Sequence, residues 1–418
     1  MIEVLLLACL LLLVYTHVGY AAVIGFWAAL RSRPPRLRGG EPTVTVIIAA
    51  HNEAPRIAAR LENLLALDYP HDHLEILLGS DGSTDGTQER ARAYETRGVT
   101  VVAFEMRRGK AAVLNDLVPK AHGEILVFAD ARQDFEAGAL RALVAPLADP
   151  EVGAVSGELV LRTGLGGRAG VGTGLGFYWR YEKFIRKSES RVDSTVGVTG
   201  AIYAIRRQLY EPIPESTILD DVLIPMRIVR KGYRVVFEPA ARAFDWVAAD
   251  AHHEFVRKVR TIAGNFQLLR REPWLLNPAG NRLWLQTVSH KALRLLSPLF
   301  LVGALGLNLT LVAQPPFPWI LAKQCAFYAA AFGGYVLRTA RRRPRLLGVA
   351  YVFCLLHWAT VVAFIRIVRG RERVTWETGT LRSDVPETSA MRRAEPRETE
   401  SGPVSVVVPV DARPGAGA

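Results

Sequence analysis

The sequence predicts an α/β fold, in which a parallel sheet forms a globular domain between membrane-spanning helices. Runs of β-branched and apolar residues alternate with helical patterns through residues 43–130, and strands connected in this way lie parallel. Long, almost uncharged stretches come before and after this region, as expected of helices that cross a membrane. Acidic residues follow several of the strands, at the edge where such sheets bind ligands.

The globular region begins with four strands and the three helices between them. Thr84 and Asp85 can cap the second of these helices, and from Val152 onward the pattern becomes mixed. Buried runs predict strands, and helical patterns predict helices, at these positions: strands 43–50, 74–80, 99–104 and 124–130; helices 55–67, 88–97 and 109–118.

The apolar stretches predict about four membrane spans in this chain of 418 residues, 50% of which are hydrophobic. A span needs about 20 apolar residues. The first stretch has Glu3 and no Lys or Arg at its start, and its apolar run is longer than that of a signal peptide, so we expect a retained anchor. The stretches are Val4–Leu30, Leu295–Ala322 with a Pro-rich break, Cys325–Leu337 and Leu346–Ile365.

The formal net charge of +12 is concentrated beside these stretches, in Arg-rich segments at 31–38, 338–345 and 366–373. Such flanks mark the cytoplasmic side, so they predict a multi-pass protein of the cell membrane with a cytoplasmic globular domain. Contact with anionic lipid is an alternative use of the same charge, and nucleic-acid binding is not expected. Three spans after the domain would place the C terminus outside whereas residues 366–373 favour the inside, so its side stays open.

The predicted organisation has five parts. The three cysteines lie in the apolar stretches with no spacing typical of a metal site or a disulfide framework. The polar, Pro-containing tail is expected to be disordered. The parts are an N-terminal anchor at 1–30, the globular domain at 41–272, an interfacial amphipathic segment at 273–294, a membrane region of about three segments at 295–368 and the tail at 383–418.

Polar residues gather where three of the predicted strands end. His51 and Glu53 follow the first strand, Asp81 and Asp85 follow the second, and Asp130 ends the fourth. In a doubly wound sheet these ends lie side by side and form one crevice. Each segment alone is typical of a turn or a helix start, and it is their order that indicates a site.

Seven segments in this order carry a resemblance to a known family: "VIIAAHNEA" (46–54), "LLGSDGSTDGT" (77–87), "RRGKAAVLN" (107–115), "FADAR" (128–132), "GVTGAIYAIRR" (197–207), "TILDDV" (217–222) and "RKVRTIAGN" (257–265). The sequence resembles the inverting family-two glycosyltransferases, the relatives of cellulose, chitin and hyaluronan synthases. The resemblance implies a GT-A fold, a nucleotide diphosphate sugar as donor, and inversion at the anomeric carbon. A membrane anchor before the domain and spans after it also match.

The resemblance implies that the strand ends bind the nucleotide sugar. Asp81 matches the family's carboxylate that accepts a bond from the uracil imide, which makes UDP the first choice of nucleotide. Lys110 opens a helix, and a cation together with N-terminal amides suits the diphosphate. The full set implied for the nucleotide sugar is Ala50, His51, Glu53, Asp81, Lys110, Asp130 and Arg132.

Asp220 and Asp221 are the candidate catalytic residues. Adjacent carboxylates raise each other's pKa, which suits a general base. The resemblance implies that Asp221 is the base and that Asp220 stands where many relatives have Glu. A helix N-terminus that favours acidic side chains is the alternative interpretation. Gly200 is implied near the acceptor or the diphosphate.

Two departures from the family pattern affect the prediction. Processive relatives have Gln, two residues, Arg and Trp where this chain has Arg257, Arg260 and Thr261; both arginines can still contact acceptor or diphosphate, but the missing Trp argues against long-chain processivity. Arg132 replaces the second Asp of the family's metal-binding Asp-x-Asp. Asp130 can still hold Mg²⁺ or Mn²⁺ with help from the diphosphate, which we favour.

Two other interpretations of Arg132 stay open. With Lys110 it could neutralise the diphosphate without a metal, or it could form a salt bridge with no chemical role.

We therefore expect a membrane-bound inverting glycosyltransferase that moves a sugar from a nucleotide diphosphate donor, UDP-linked by preference, to a glycan or glycolipid acceptor. Its expected partners are the donor, the acceptor and the lipid bilayer, with no nucleic acid. One alternative is a sugar transferase that acts on a polyprenyl phosphate. Another is a catalytically inactive GT-A domain that serves as a membrane scaffold.

Overall fold

A computed structural model describes residues 1–37, 39–162, 169–246, 251–339 and 344–370. The predicted disordered tail at 383–418 lies outside these residues, as do parts of the Arg-rich segments at 338–345 and 366–373.

An eight-stranded mixed sheet forms the centre of the globular domain, with the strand order β3-β2-β1-β4-β7-β6-β8-β5. Strands β1 to β4 are parallel to one another, as expected, whereas β7 lies antiparallel between β4 and β6. The later strand β8 pairs parallel with β6 and antiparallel with β5. The strands are β1 (Val44–Ala50), β2 (Leu74–Asp81), β3 (Val99–Phe104), β4 (Ile125–Asp130), β5 (Asp134–Phe135), β6 (Val152–Arg162), β7 (Ile202–Arg206) and β8 (Arg234–Trp246).

Helices cover both faces of this sheet and continue into the membrane-type region. The three helices expected between the first four strands are present as α3, α4 and α5. The described α-helices are α1 (Ile2–Val14), α2 (Tyr20–Leu30), α3 (Ala54–Leu65), α4 (Thr87–Arg92), α5 (Lys110–Leu117), α6 (Ala139–Val144), α7 (Ala169–Val192), α8 (Asp220–Arg230), α9 (Ala251–Arg271), α10 (Trp284–Thr287), α11 (Leu293–Thr310), α12 (Phe317–Val336) and α13 (Arg345–Val368).

The alternation of side chains along β1 explains the three layers. Successive residues of a strand point to opposite faces. Val46 and Ile48 pack in one cluster with Leu61 of α3, while Ile47 packs in a second cluster with Leu114 of α5. Since all seven residues of β1 are buried, this strand lies at the centre of the domain. Its carboxyl end therefore lies in the middle of the sheet edge.

Among the described residues, three helices are long and apolar enough to cross a membrane, rather than the four expected: Ile2–Leu30, Trp284–Thr310 and Arg345–Val368. The helix α12 corresponds to another predicted stretch, but Lys323 and Gln324 lie within it.

The predicted interfacial segment at 273–294 is continuous with a predicted span. Its second half, from Trp284, belongs to the same continuous helix as the span that ends at Thr310. In this helix the π-helical turn Val288–Ala292 joins α10 to α11. The interfacial role of residues 273–294 stays a prediction.

Candidate active site

The carboxyl ends of β1, β2 and β4 meet at one edge of the sheet. Ala50 is buried at the end of β1 and lies opposite Ser80 of β2. In the next loop, His51 Nδ1 lies 2.6 Å from the carbonyl oxygen of Asp81. The structure therefore brings the predicted strand-end residues together.

Glu53 and Asp85 tie the first two loops of this edge together. The backbone N–H of Glu53 donates to Thr87 Oγ1 at 2.8 Å, and Asp85 Oδ2 accepts a bond from the N–H of Ala54 at 3.0 Å. The Glu53 carboxylate is itself buried and pairs with Arg56 at 3.2 Å. Burial raises the pKa of Glu53, while Arg56 opposes the rise. In this conformation both acidic residues support the shape of the crevice.

Asp81 holds the turn that leads into α5. Its Oδ1 accepts the backbone N–H of Arg108 at 2.7 Å, and its Oδ2 accepts that of Gly109 at 2.9 Å. Gly109 has a φ of 97°, which favours glycine. Because the Asp81 side chain is 0% exposed, the expected contact with a uracil imide is closed in this conformation. The structure gives Asp81 a positioning role that the sequence did not predict.

Lys110 joins two carboxylates from different parts of the chain. Its Nζ lies 3.0 Å from Asp130 Oδ1 at the end of β4 and 3.3 Å from Asp220 Oδ2 at the start of α8. Burial alone would lower the pKa of Lys110, but Asp130 and Asp220 raise it above its ordinary value. The lysine therefore remains a cation at the centre of the crevice.

Asp221 lies beside this group in the first turn of α8, between the buried Leu219 and Val222. Burial, together with the neighbouring Asp220, raises the pKa of Asp221 to about 6. A carboxylate with that pKa is ionised at neutral pH yet more basic than an ordinary Asp, which suits proton removal.

Gly200 allows Asp221 to occupy its position. A Cβ on Gly200 would lie 3.0 Å from Asp221 Oδ2 and 3.2 Å from its Cβ, closer than ordinary contacts. The same loop binds the backbone of α8, since the N–H of Val198 donates to the carbonyl oxygen of Asp221 at 2.8 Å. The two residues expected near the acceptor from separate segments are thus in contact.

Arg132 forms an ion pair with a carboxylate that the sequence did not reveal. Its NH2 group donates to Asp245 Oδ2 at 2.6 Å, and Gln133 Nε2 donates to the same oxygen at 3.1 Å. Asp245 is 4% exposed near the end of β8. The described contacts thus include the salt bridge that was one of the interpretations of Arg132.

The helix α9 carries the two arginines expected near the acceptor or diphosphate. Arg257 is exposed and Arg260 is half-buried. Arg260 lies one turn before Gly264 on the same face, and a Cβ on Gly264 would lie 2.5 Å from Leu219 Cγ. The face that bears Arg260 therefore packs against the segment that leads into Asp220 and Asp221.

The carboxylates of the crevice fit a metal only with help from the donor. Among the described residues no group of three or more His, Cys, Asp and Glu side chains is placed to hold a metal ion. Asp130 has a side chain that is 41% exposed and already contacts Lys110. Mg²⁺ often takes one or two protein carboxylates beside substrate phosphates. The site therefore fits a cation that the diphosphate holds for the most part.

Two cations near Asp221 were not predicted from the sequence. Arg186 of α7 donates from NH1 to Thr199 Oγ1 at 2.8 Å, directly before Gly200. Lys291 lies in the π-helical turn Val288–Ala292. After Lys110, Lys291 and Arg186 are the groups that oppose the raised pKa of Asp221. They come from distant segments without a shared motif, so only the folded chain shows that they are neighbours.

Comparison with known proteins connects this site to a family. Residues 45–213 match the model of Glycosyl transferase family 2. A beta-monoglucosyldiacylglycerol synthase of a Nostoc strain is 31% identical over 144 residues, which cover 34% of this chain and 31% of that protein. A poly-beta-1,6-N-acetyl-D-glucosamine synthase of Staphylococcus aureus is 24% identical over 234 residues, or 55% of this chain and 56% of that protein. The matches thus span about a third and just over half of the two relatives.

A solved structure shows the same fold. It is a mannosyltransferase from Pyrobaculum calidifontis in complex with GDP-Man and Mn²⁺, with a TM-score of 0.68 and 24% sequence identity. The similarity covers 89% of this chain and 100% of that one. Together with the family match, it confirms the expected GT-A fold class.

Proposed function

Residues 45–213 form a glycosyltransferase family 2 domain, and on that premise we propose that the protein is a membrane-bound inverting glycosyltransferase. It would move a sugar from a nucleotide diphosphate donor to a glycan or glycolipid acceptor. The observation that carries the proposal is the position of Asp221, a half-buried carboxylate in the first turn of α8 with a pKa raised to about 6. Asp221 packs against Gly200. It directly follows Asp220, which pairs with Lys110.

In the proposed reaction Asp221 is the general base. The acceptor hydroxyl gives its proton to the Asp221 carboxylate while its oxygen attacks the anomeric carbon. The bond between that carbon and the donor diphosphate breaks, and the nucleoside diphosphate leaves with the bonding electrons. Attack from the face opposite the leaving group inverts the configuration.

Lys110 would serve the leaving group. Its ammonium group is held by Asp130 and Asp220 at the start of α5, where the diphosphate of a donor in the crevice would lie. A cation fixed in place before the reaction stabilises charge that develops in the transition state. A divalent cation bound at Asp130 would add further neutralisation of the diphosphate.

UDP remains the first choice of nucleotide because of the family resemblance at Asp81, although the contacts of Asp81 point to the diphosphate site. Asp81 fixes the turn at Arg108 and Gly109, and that turn leads into Lys110. A defect at Asp81 should therefore affect the diphosphate site through Lys110. A direct bond to the base would need this turn to move.

The apolar helices support membrane association, as they did in the sequence. Length and composition suit three described helices to span a bilayer, and the buried residues Val259 and Ala263 of α9 pack against Ala359 and Ala363 of α13. The helix that supports the catalytic segment therefore also contacts a membrane-type helix. We propose a multi-pass membrane protein with the domain on the cytoplasmic side.

Product analysis tests this function. Membranes that contain the protein are supplied with a panel of labelled nucleotide sugars, and lipid and polymer products are separated. We expect one donor, UDP-linked by preference, to label a product in the wild-type membranes and not in Asp221→Asn membranes. Binding of a nucleotide sugar with neither transfer nor hydrolysis of any donor would favour the inactive scaffold and overturn the proposal.

A further inference from the structure

The inference concerns the acceptor and rests on the proposed function. On α7, Glu182, Arg186 and Glu189 are spaced so that they share one helix face. The start of the membrane-type helix Trp284–Thr310 packs on this face, because His290 lies between the two glutamates, with Nε2 3.0 Å from Glu182 and Nδ1 2.8 Å from Glu189. This contact joins the catalytic domain to that helix.

The two glutamates of this face are fully engaged. Glu182 also pairs with Arg294 at 2.5 Å, and Glu189 accepts the hydroxyl of Tyr20 at 2.7 Å. Burial alone would raise the pKa of Glu182, but Arg294 and His290 hold it well below its ordinary value. Both carboxylates therefore form their salt bridges and hydrogen bonds with partners other than Arg186.

Arg186 and Lys291 form no salt bridge with a carboxylate within the described residues, although Asp221 and Glu182 act on their charge at longer range. Within the described parts of the chain, Arg186 hydrogen-bonds only Thr199, and Lys291 makes no hydrogen bond or ion pair. Both side chains are half-buried. Partly buried cations are costly unless an anion pairs with them. This pair therefore fits an anionic ligand.

The position of the pair indicates which ligand would carry that anion. Arg186 contacts Thr199, which precedes Gly200, and Gly200 packs against Asp221. Lys291 acts on the charge of both Asp221 and Arg186, so the two cations lie close to the proposed base. Lys291 lies two turns into the helix Trp284–Thr310, which is long and apolar enough to cross a membrane, and a basic side chain near the end of such a helix can meet anionic lipid headgroups. An acceptor that reaches Asp221 from the bilayer would pass these two side chains.

We infer that Arg186 and Lys291 form an anion subsite that binds the phosphate of a membrane-lipid acceptor. Two cations of this kind match a phosphate group, which accepts charge-assisted hydrogen bonds from both. The phosphate can belong to a phospholipid headgroup, whose hydroxyl would then be the nucleophile that gives its proton to Asp221. It can also belong to a polyprenyl phosphate, whose own phosphate oxygen would be the nucleophile and would give Asp221 any proton that it carries. In either case the subsite places the headgroup beside Asp221.

Lipid binding to the full-length protein in nanodiscs tests the subsite without requiring turnover. The probes are a polyprenyl phosphate, phosphatidylglycerol, uncharged diacylglycerol and inorganic phosphate. We expect Arg186→Gln and Lys291→Gln each to weaken binding of a phosphate-bearing lipid by about tenfold or more, as the loss of one charged hydrogen bond would. Diacylglycerol binding should not change. The phosphate-bearing probe that responds identifies the source of the phosphate.

Matched variants separate this role from folding. Lys187→Gln removes a positive charge from the next, exposed position of α7 and should leave lipid binding unchanged. Arg186→Lys and Lys291→Arg keep the charge and should keep most of the affinity. The inference is overturned if both Gln variants bind the phosphate lipids normally, if diacylglycerol binding falls equally, or if inorganic phosphate competes at concentrations as low as the lipids do.

Donor hydrolysis, measured beside lipid binding, distinguishes the two proposals. If no nucleotide sugar is turned over while phosphate-lipid binding still depends on Arg186 and Lys291, the subsite is supported and the proposed function fails. If wild-type membranes transfer sugar to diacylglycerol alone, the proposed function is supported and the subsite is overturned.

Discussion

The guanidinium group of Arg132 reaches across the domain to Asp245, with 2.6 Å between NH2 and Oδ2, although 113 residues separate the two in sequence. The arginine stands where the family pattern has a carboxylate, and Asp245 supplies a carboxylate from β8 in return. Since Asp245 is buried and Arg132 is 37% exposed, the pair lies at the edge of the crevice. This pairing explains how an arginine fits at the end of β4. It also predicts that removal of the arginine affects the stability of the fold.

Arg132→Ala should destabilise the fold before it affects chemistry. It leaves Asp245 buried with Gln133 as its remaining partner, and an under-satisfied buried acceptor costs about 1–3 kcal/mol. Thermal or denaturant unfolding in detergent should show the loss, and the double variant Arg132→Ala/Asp245→Ala should recover part of it. Unchanged stability of Arg132→Ala would show that the ion pair is not formed in solution.

Asp221→Asn should keep the fold and donor binding but remove turnover. The amide has nearly the same shape but cannot accept the proton, and the loss of a general base costs about 10²–10⁴-fold in rate. Transfer rate at saturating donor and donor affinity are measured together. The matched variant is Asp220→Asn, which should retain more activity. The reverse order of the two variants would assign the base to Asp220.

The pH profile should report the pKa of Asp221. Protonated Asp221 cannot accept a proton, so the rate should fall as pH drops below about 6. Asp220 raises this pKa and Lys110 lowers it. The acidic limb should therefore move to lower pH in Asp220→Asn and to higher pH in Lys110→Gln. If the acidic limbs of the two variants moved in the same direction, the assignment would be contradicted, whatever the maximal rate of each variant.

Gly200→Ala should lower the rate by displacing Asp221. The new Cβ would come within 3.0 Å of Asp221 Oδ2, so the carboxylate must shift. A small displacement of a catalytic group can cost on the order of 10²-fold. Gly138→Ala is the matched control, because a Cβ there meets nothing within 4 Å. Equal activity of the two variants would show that Asp221 tolerates the movement.

Local sequence patterns predicted the strands whose carboxyl ends form the candidate site. The ion pairs within that site depend on contacts between residues that are far apart in sequence. The runs at 43–50 and 74–80 became β1 and β2 because a continuous buried strand has a distinct composition. The partner of Arg132 could not be found in this way. Asp245 lies on β8, whose pairing with β5 and β6 depends on the whole mixed half of the sheet.

Burial of polar groups was the second feature that the sequence did not show. Asp81 was identified from its motif, but a motif does not reveal that Arg108 and Gly109 occupy both carboxylate oxygens. The neighbouring positions of Arg186 and Lys291 likewise arise only when α7 packs against the start of a membrane-type helix. A sequence identifies residue types at strand ends, whereas satisfied or unbalanced charge is a property of the packed chain.

Metal removal addresses the role of Asp130. It is the carboxylate that the resemblance implies as a metal ligand, and its ion pair with Lys110 would compete with a metal for the same oxygen. We expect transfer to stop in excess EDTA and to return with Mn²⁺ or Mg²⁺, at a half-maximal metal concentration that rises in Asp130→Asn. Asp134→Asn, at an exposed carboxylate four residues further on, is the control and should leave that concentration unchanged. A different outcome would show that side chains replace the metal: full transfer by the wild-type protein in excess EDTA, combined with collapse of activity in Arg132→Ala at a temperature where that variant stays folded. In that case Lys110 and Arg132 would neutralise the diphosphate on their own.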